Sequence, residues 1–411
     1  MSEKKNPVVT EVEVTTFSQI WLTSLLEFLS GTRAFYFLVG IAALVVLIAA
    51  MFAVNAMYTG YRHAYGLTRE IPWGILISGY VFFVLTSSGL CIVSSIGHVF
   101  GVKSFMPIAK RSVYLSLVTV VAGFTVIFFD LENPFRLLIW NILSPNLTSN
   151  IWWMGTLYGA YLFFMALEFL LLLLEKHRYA MLSGLLGLIS LIAEVAASSN
   201  LGAVFGMLHG REFWYGPYIP IYFIASAAAS GCTAIIFFTY LGYKITAEKM
   251  DRAMELSLQA VGKIWALFLA VLMFFTTWKI ITDFAGGEGK VLALKEWLTG
   301  KYALNFWLFE VGFGLLIPFF LLLISGFKNL NQMFVASVFA FIGIFFMRVD
   351  LVVVGQIVSH YFEFKVTDFP VILSYKPSIY EIMIIVGAIA FCIMAFLVGE
   401  KVFKGHKTEI H

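Results

Sequence analysis

Ten times along this chain, apolar residues run for about twenty positions, the length a helix needs to cross the hydrocarbon of a bilayer. The runs lie at 34–57, 72–98, 112–129, 151–174, 180–205, 217–241, 264–284, 303–326, 331–358 and 379–403. Inside lipid only helices and closed barrels satisfy their own backbone, and runs this long select helices. The expected fold class is all-α, a polytopic transmembrane helical protein of about ten spans. Composition agrees: 61% of residues are hydrophobic and only 12% charged, about half the charge of a soluble domain. A soluble enzyme is excluded. A net charge of +3 is too slight to call for nucleic acid. Cys91, Cys232 and Cys392 each sit inside an apolar run, which is no disulfide framework, zinc site or iron–sulfur ligand set.

Residues 1–33 read as a polar cytoplasmic tail, 34–403 as one ten-span membrane domain and 404–411 as a second cytoplasmic tail. Phe17, Ile20, Trp21, Leu25 and Phe28 recur at helical spacing, as in a helix lying on the membrane surface or in a plain amphipathic lead-in. No cleavable signal peptide is expected before the first run. The longest connections, 130–150, 284–302 and 359–378, leave no room for a separate soluble domain. An even number of spans puts both termini on one side. Of the 27 Lys and Arg, sixteen fall on that side, nine on the other, and Lys279 and Arg348 within spans. That bias places both termini in the cytoplasm and the chain in the cell membrane.

Ionisable groups in hydrocarbon are costly and are functional candidates by default. Asp130 ends the third span, Glu194 lies in the outer half of the fifth, and Lys279 with Asp283 closes the seventh. Glu310 belongs to the eighth span; Arg348, Asp350 and Gln356 belong to the ninth. With Trp73 and Ser78 at the start of the second span, six helices bring polar groups to one outer zone. Only His98, Glu168 and basic loop residues lie toward the inside. Structural readings stand beside these. Lys279 and Asp283 have i,i+4 spacing, Arg348 fits an ion pair with Glu310 or Asp350, Asp130 fits a helix end near water, and His98 fits a simple interfacial residue. Glu194 is harder to explain that way, because it has no charged neighbour within four residues.

Membrane haem requires histidine pairs at facing depths, yet all seven histidines except His98 fall in loops or tails, and no Cys-x-x-Cys-His is present. Neither haem nor a metal is expected on this chain. A redox role then needs an organic carrier, most simply a lipid-soluble quinone. Quinones couple electrons to protons and require polar anchors, an apolar slot and a protonatable route to water. Trp73, Tyr80, Asp130, Trp152, Trp153, Glu194 and Asn200 supply such parts in the outer zone.

Several stretches resemble the NrfD/PsrC family of quinone-interacting membrane subunits. One is Thr68-Arg69-Glu70-Ile71-Pro72-Trp73-Gly74, followed by Ser87-Ser88-Gly89 and Gly97-His98-Val99-Phe100-Gly101. A second is Phe129-Asp130-Leu131-Glu132-Asn133-Pro134-Phe135-Arg136, then Ser149-Asn150-Ile151-Trp152-Trp153. A later set is typical of the ten-span branch: Trp307, Glu310 through Pro318, Arg348-Val349-Asp350, Gln356, and Tyr375-Lys376-Pro377-Ser378 with Glu381. The likeness covers about residues 34–403 and points to Hyb, Qrc and DsrP-like (or Hme-type) members. It implies a haem-free anchor that binds menaquinone or another quinone near the outer face. It also implies electron exchange with a ferredoxin-like iron–sulfur protein on that face, within a respiratory complex holding further redox subunits. Such anchors serve polysulfide, nitrite and related reductases, a hydrogenase, sulfur-metabolising complexes and alternative complex III. Where the eight-span PsrC type carries an Asn and a His in its counterpart of span two, this chain has Ser78, Gly79 and Tyr80. In the fifth-span region it has Glu194 and Asn200 where that type has a Tyr.

The expected site therefore lies among spans two to five. Glu194 and Asp130 exchange protons there, and Trp73, Ser78, Tyr80, Trp152 and Asn200 surround the quinone. A proton path across the bundle would use His98, Glu168, Glu310, Arg348, Asp350 and Gln356. Spans two to four and eight to ten share a weak pattern: Trp73 and Trp307, Asp130 and Asp350, then Ile151-Trp152-Trp153 and Ile379-Tyr380-Glu381. This predicts two four-helix-bundle-like repeats, although chance pairing gives such matches too. The competing reading is an ion-coupled secondary transporter, which the one-sided placement of polar groups disfavours; a third is a passive anchor with no ligand.

Overall fold

The computed structural model describes residues 32–173, 180–246, 248–366 and 368–403. Ten of its helices are long and apolar enough to cross a membrane. They are α1 (Arg33–Thr59), α2 (Ile75–His98), α3 (Met106–Asp130), α4 (Asn150–Leu173), α5 (Ala180–Gly206), α6 (Tyr218–Thr246), α7 (Arg252–Phe284), α8 (Asn305–Ile324), α9 (Leu330–Val354) and α10 (Ile379–Phe403). The protein is thus all-α and a multi-pass integral membrane protein. Residues 33 and 403 share one side, here termed the terminal face; the opposite side is the far face. The surface helix expected over Phe17–Phe28 and both terminal tails lie outside the described residues.

Local sequence explains the helix ends. Thr32 caps α1 by accepting the Phe35 amide, Asp251 caps α7 by accepting that of Met254, and Asn329 caps α9 by accepting those of Asn331 and Gln332. Pro107 occupies the first turn of α3, where its missing N–H costs nothing. Two spans begin earlier than hydropathy predicts. α3 starts at 106 rather than 112 and α7 at 252 rather than 264, because charge masked their first turns. In α3 the masking residue Arg111 is buried: its Nε donates to Glu400 of α10 at 3.0 Å, and its second nitrogen also meets that carboxylate. The connections 130–150 and 284–302 hold short far-face helices, Pro134–Leu143 and Glu288–Leu298.

The helices group as α2–α5 and as α6–α9, while α10 packs mainly on α1 and α3. Two four-helix groups are present, but their boundaries correct the predicted repeat. The second group is spans six to nine, and span ten pairs with span one. The groups meet where α2 crosses α6. There Gly89 lies so close to Ala227 and Gly231 that a Cβ would collide with their backbone. The first twelve residues of α8, Asn305–Leu316, wind as a π-helix, a form that is rare and often marks functional sites. Glu310 sits inside it.

Candidate functional site

Glu194 stands near the middle of α5, about 21 Å from its terminal-face end at 1.5 Å per residue. It is fully buried. The hydroxyl of Ser88 on α2 donates to Oε1, and Oε2 has no partner. Around them the first bundle carries a hydroxyl core. Tyr161 of α4 bonds Ser87 at 2.8 Å and also meets Ser116 of α3, whose hydroxyl donates to the Ser87 carbonyl at 3.0 Å. Tyr158, one turn before Tyr161, is wholly buried with an unpartnered hydroxyl. Tyr80, Tyr158 and Tyr161 all feel the charge of Glu194. Buried polar atoms are nearly always satisfied. An open carboxyl oxygen beside an open phenol is therefore the pattern expected where a further polar group docks.

Toward the far face, about 16 Å along α5 from Glu194 at 1.5 Å per residue, stands an aromatic wall. Trp73 stacks on Trp214 at 5.4 Å and 27°, and Phe205 meets both rings edge-on. Gln356 fixes Trp73 by its backbone: its Nε2 donates to the Trp73 carbonyl at 2.9 Å and its Oε1 accepts the Trp73 amide at 3.2 Å. Gln356 also lies beyond the end of α9, not within it. Toward the terminal face, His98 Nδ1 lies 3.1 Å from Glu168 Oε1, and His98 Nε2 lies 3.3 Å from Ser183. Glu168 presses against Gly187, where a Cβ would lie 2.9 Å from its oxygen. Ser183, Gly187, Ser190 and Glu194 follow one another at helical spacing on α5, so a single face joins the pair to the central carboxyl.

Other predicted pocket residues are engaged elsewhere. Ser78 bonds its own helix through the Gly74 carbonyl. Trp152 donates its indole N–H to the Asn141 carbonyl at 2.8 Å, and Asn200 donates to the Asn150 carbonyl at 2.8 Å, tying α5 to the start of α4. Asp130 is not beside Glu194. Its charged neighbour is Glu381 on α10, and one of its oxygens is buried without a partner. Glu381 accepts the amides of Gly66 and Ser378, each at 2.8 Å, and the Tyr375 hydroxyl at 2.5 Å. Burial, then the Glu381 charge, pushes the Tyr375 phenol up, so it remains a donor.

The second bundle holds a separate buried cluster. Lys279 Nζ pairs with Asp283 at 2.7 Å and donates to the Phe213 carbonyl at 3.1 Å. Asp350 accepts Trp297 and Asn305, each at 3.2 Å. Arg348 forms no ion pair with Glu310 or Asp350, contrary to the structural pairing open from the sequence; its one hydrogen bond runs to Ser226 at 2.9 Å. A cavity of about 20 Å³, room for one water, separates Glu310 from Lys279 and Thr276. Sequence reasoning missed Tyr158, Tyr161 and Ser116. Their only signal was a run of hydroxyls at helical spacing inside apolar spans. Among the described residues no group of three or more His, Cys, Asp or Glu is arranged to hold a metal ion.

Comparison with known proteins finds relatives over most of the sequence. The sequence is 26% identical over 381 residues to the Hdr-like menaquinol oxidoreductase integral membrane subunit of Archaeoglobus fulgidus, covering 88% of this protein and 92% of that one. It is 24% identical over 395 residues to the C subunit of selenate reductase from Mesobacillus selenatarsenatis, covering 84% and 89%. The C component of polysulfide reductase from Wolinella succinogenes is 24% identical over 318 residues, covering 70% and 95%. Residues 63–360 match the family described as "Polysulphide reductase, NrfD", and the protein belongs to that family.

Proposed function

We propose that this protein is the quinone-reactive membrane anchor of a respiratory oxidoreductase, with the quinone headgroup held in the first bundle between the Trp73–Trp214–Phe205 wall and Glu194. Relatives named as the integral membrane subunit of a menaquinol oxidoreductase and as the C subunits of selenate and polysulfide reductases support the coarser part, a membrane subunit of a redox complex. The observation that carries the finer part is the unpartnered Glu194 oxygen, fully buried beside the free Tyr158 hydroxyl. A quinone carbonyl fits that pair, since a bound oxygen accepts from a protonated carboxyl and from a phenol. Once bound, a quinone supplies two-electron, two-proton chemistry.

The protein's own residues do the rest. Ser88 fixes Glu194 in one rotamer by binding Oε1, leaving Oε2 to hold or release the proton. The aromatic wall excludes water from the ring side. His98 and Glu168, reached along the Ser183–Ser190 face of α5, connect Glu194 to the terminal face. That face is assigned to the cytoplasm on the excess of Lys and Arg there. Glu310 and Asp350 are the proton-holding groups of the second bundle, and Asp130 with Glu381 forms a far-face exchange site. Electrons pass to a ferredoxin-like iron–sulfur partner at the far face, the kind of partner that the resemblance to quinone-interacting anchors implies. Gln356 serves by holding Trp73.

Glu194→Gln keeps the shape of the side chain and removes its proton exchange. Quinol-linked electron transfer by the assembled complex is expected to fall at least about a hundredfold, the usual worth of a positioned acid–base group, while assembly is retained. Wild-type turnover in that variant would overturn the assignment.

A further inference from the structure

α9 and α10 stand on either side of a hollow that neither fills. α10 leans on α1 and α3, α9 on α8, and both touch α2 and α6, yet the two scarcely meet each other. The hollow between them measures about 440 Å³. Phe82 and Thr86 of α2 and Phe238 of α6 floor it, and Phe341 of α9 and Cys392 of α10 wall it. Val338, Ile342 and Ile389 at its rim are exposed.

Its depth fixes what surrounds it. Ile342 lies about 18 Å from each end of α9, and Ile389 about 15 Å from the far-face end of α10, at 1.5 Å per residue. The hydrocarbon of a bilayer is about 30 Å thick, so the hollow opens near its centre, where apolar chains are the solvent. Its two hydroxyls are already used: Thr86 donates to the Phe82 carbonyl at 2.7 Å and Thr119 to that of Leu115 at 2.9 Å. Neither is left to orient a polar head. The volume falls among those of ligand pockets and far above the voids that packed interiors leave.

This place is separate from the Glu194 site. Thr86 and Ser88 are two positions apart on α2, about 200° around the helix, so the hollow and the carboxyl lie on opposite sides of it. Toward the terminal face the seam of α6 and α9 is shut. Phe334 stacks on Phe237 at 5.4 Å and on Tyr240 at 4.6 Å, and Tyr240 bonds Asn331. Lys244 follows Phe237 by two turns on the same face of α6, about 10 Å nearer the terminal face, and is exposed.

We propose that the hollow is a phospholipid site, in which one acyl chain lies between α9 and α10 and the phosphate reaches the terminal face beside Lys244. The chain joins α10 and the first bundle to the second bundle through dispersion contacts. A quinone head would leave its carbonyls without anchors here. A phospholipid keeps its head at the interface, where a cation attracts an anionic phosphate. The site stands whether or not Glu194 binds quinone.

The test is native mass spectrometry of the intact complex after exhaustive washing in detergent, with the retained lipid identified by its mass. Wild type is expected to keep a phospholipid that Val338→Phe and Ile389→Phe, which fill the rim, hold at least about tenfold less tightly. Leu267→Phe, at an exposed position of α7, should keep it. Lys244→Gln should reduce retention about fivefold, the worth of one lysine beside an anionic lipid. If neither filled variant assembles, a phospholipid with a diazirine at mid-chain, added to the washed wild-type complex, should cross-link within 338–346 and 389–393. Equal retention in wild type and both filled variants overturns the proposal. So does a wild-type complex that keeps no phospholipid, a retained isoprenoid quinone that the filled variants release, or a cross-link confined to other segments. Equal retention in Lys244→Gln overturns the placement of the phosphate.

Discussion

Ser88 of α2 and Glu194 of α5 meet in the core of the first bundle, and the hydroxyl satisfies one carboxyl oxygen while the other stays open. The same hydroxyl lies 2.9 Å from the Val84 carbonyl of its own helix, so its single proton is shared between that carbonyl and the acid. The acid is held from one side and free on the other, as a group that exchanges a proton with a bound partner must be. Hydrogen bonds that orient such a group act through its geometry.

Ser88→Ala should slow quinol-linked electron transfer about tenfold, about 1.4 kcal/mol, close to the lower end of what a hydrogen bond to a charged group contributes. The Glu194→Gln loss should be larger, and the double variant no worse than Glu194→Gln alone, because the serine acts only through the acid. Steady-state turnover of the four forms decides it. Additive losses would show that Ser88 acts independently.

On the far face, Arg211 holds three segments together. Its guanidinium donates to the carbonyls of Gln356 at 3.0 Å, Val358 at 3.2 Å and Glu70 at 2.6 Å. Arg211→Ala leaves three acceptors without that donor, each costing about 1–3 kcal/mol where water cannot replace it. The thermal midpoint should drop by several degrees, and Arg211→Lys should fall between, since one ammonium cannot span the fork. The Gln356 carbonyl is one of these acceptors and the Gln356 amide clamps Trp73, so the variant should also loosen the aromatic wall. Tryptophan emission in the complex reports that. An unchanged melt and spectrum would remove Arg211 from this role.

The ten spans were legible because twenty apolar residues in a row leave a chain few alternatives, and Glu194 stood out because nothing in its own helix could pair with it. Its partners were not legible. Ser88, Tyr158 and Tyr161 are common residues in membrane helices, and only packing shows that they converge. Depth puts Asp130 in the same outer zone as Glu194, yet α3 turns that end toward α10, so its charged neighbour is Glu381. Motif order groups span ten with spans eight and nine, but order along the sequence does not say which helices touch, and span ten packs mainly on spans one and three. The π winding around Glu310 leaves no compositional trace.

His360, in the far-face segment after α9, titrates below the ordinary histidine value. Burial lowers it first and the nearby Arg211 cation lowers it further, against smaller opposing contributions from the Gly210 backbone and Glu363. The unfolded chain therefore takes up this proton at higher pH than the folded one. Stability of this segment falls as pH drops through about 6.5 and levels off once the native imidazole also protonates. Hydrogen exchange over 207–217 and 355–366 should quicken between pH about 7.5 and about 5.5, a unit either side of the ordinary value, beyond the intrinsic pH effect. His360→Asn should flatten that response. Equal acid sensitivity in the variant would assign it to another group.

The crossing of α2 and α6 sets how firmly the two bundles are joined. At Gly89 any Cβ would run into the Ala227 carbonyl and the Gly231 amide, both backbone atoms that cannot rotate away. Gly89→Ala must therefore separate the helices, at about 1–3 kcal/mol or more for overpacking. Gly40 on α1 has nothing within 4 Å of the same virtual atom, so Gly40→Ala should be neutral or stabilising by up to about 1 kcal/mol through helix propensity. Because Ser88 is the residue before Gly89, moving α2 also draws the hydroxyl away from Glu194. Turnover should then fall along with the melting temperature in Gly89→Ala, and neither should fall in Gly40→Ala. Thermal unfolding of the two variants in lipid nanodiscs, each assayed for quinol-linked electron transfer, separates a tight crossing from a permissive one. A Gly89→Ala protein that melts and turns over like wild type would mean that the two helices can part without consequence.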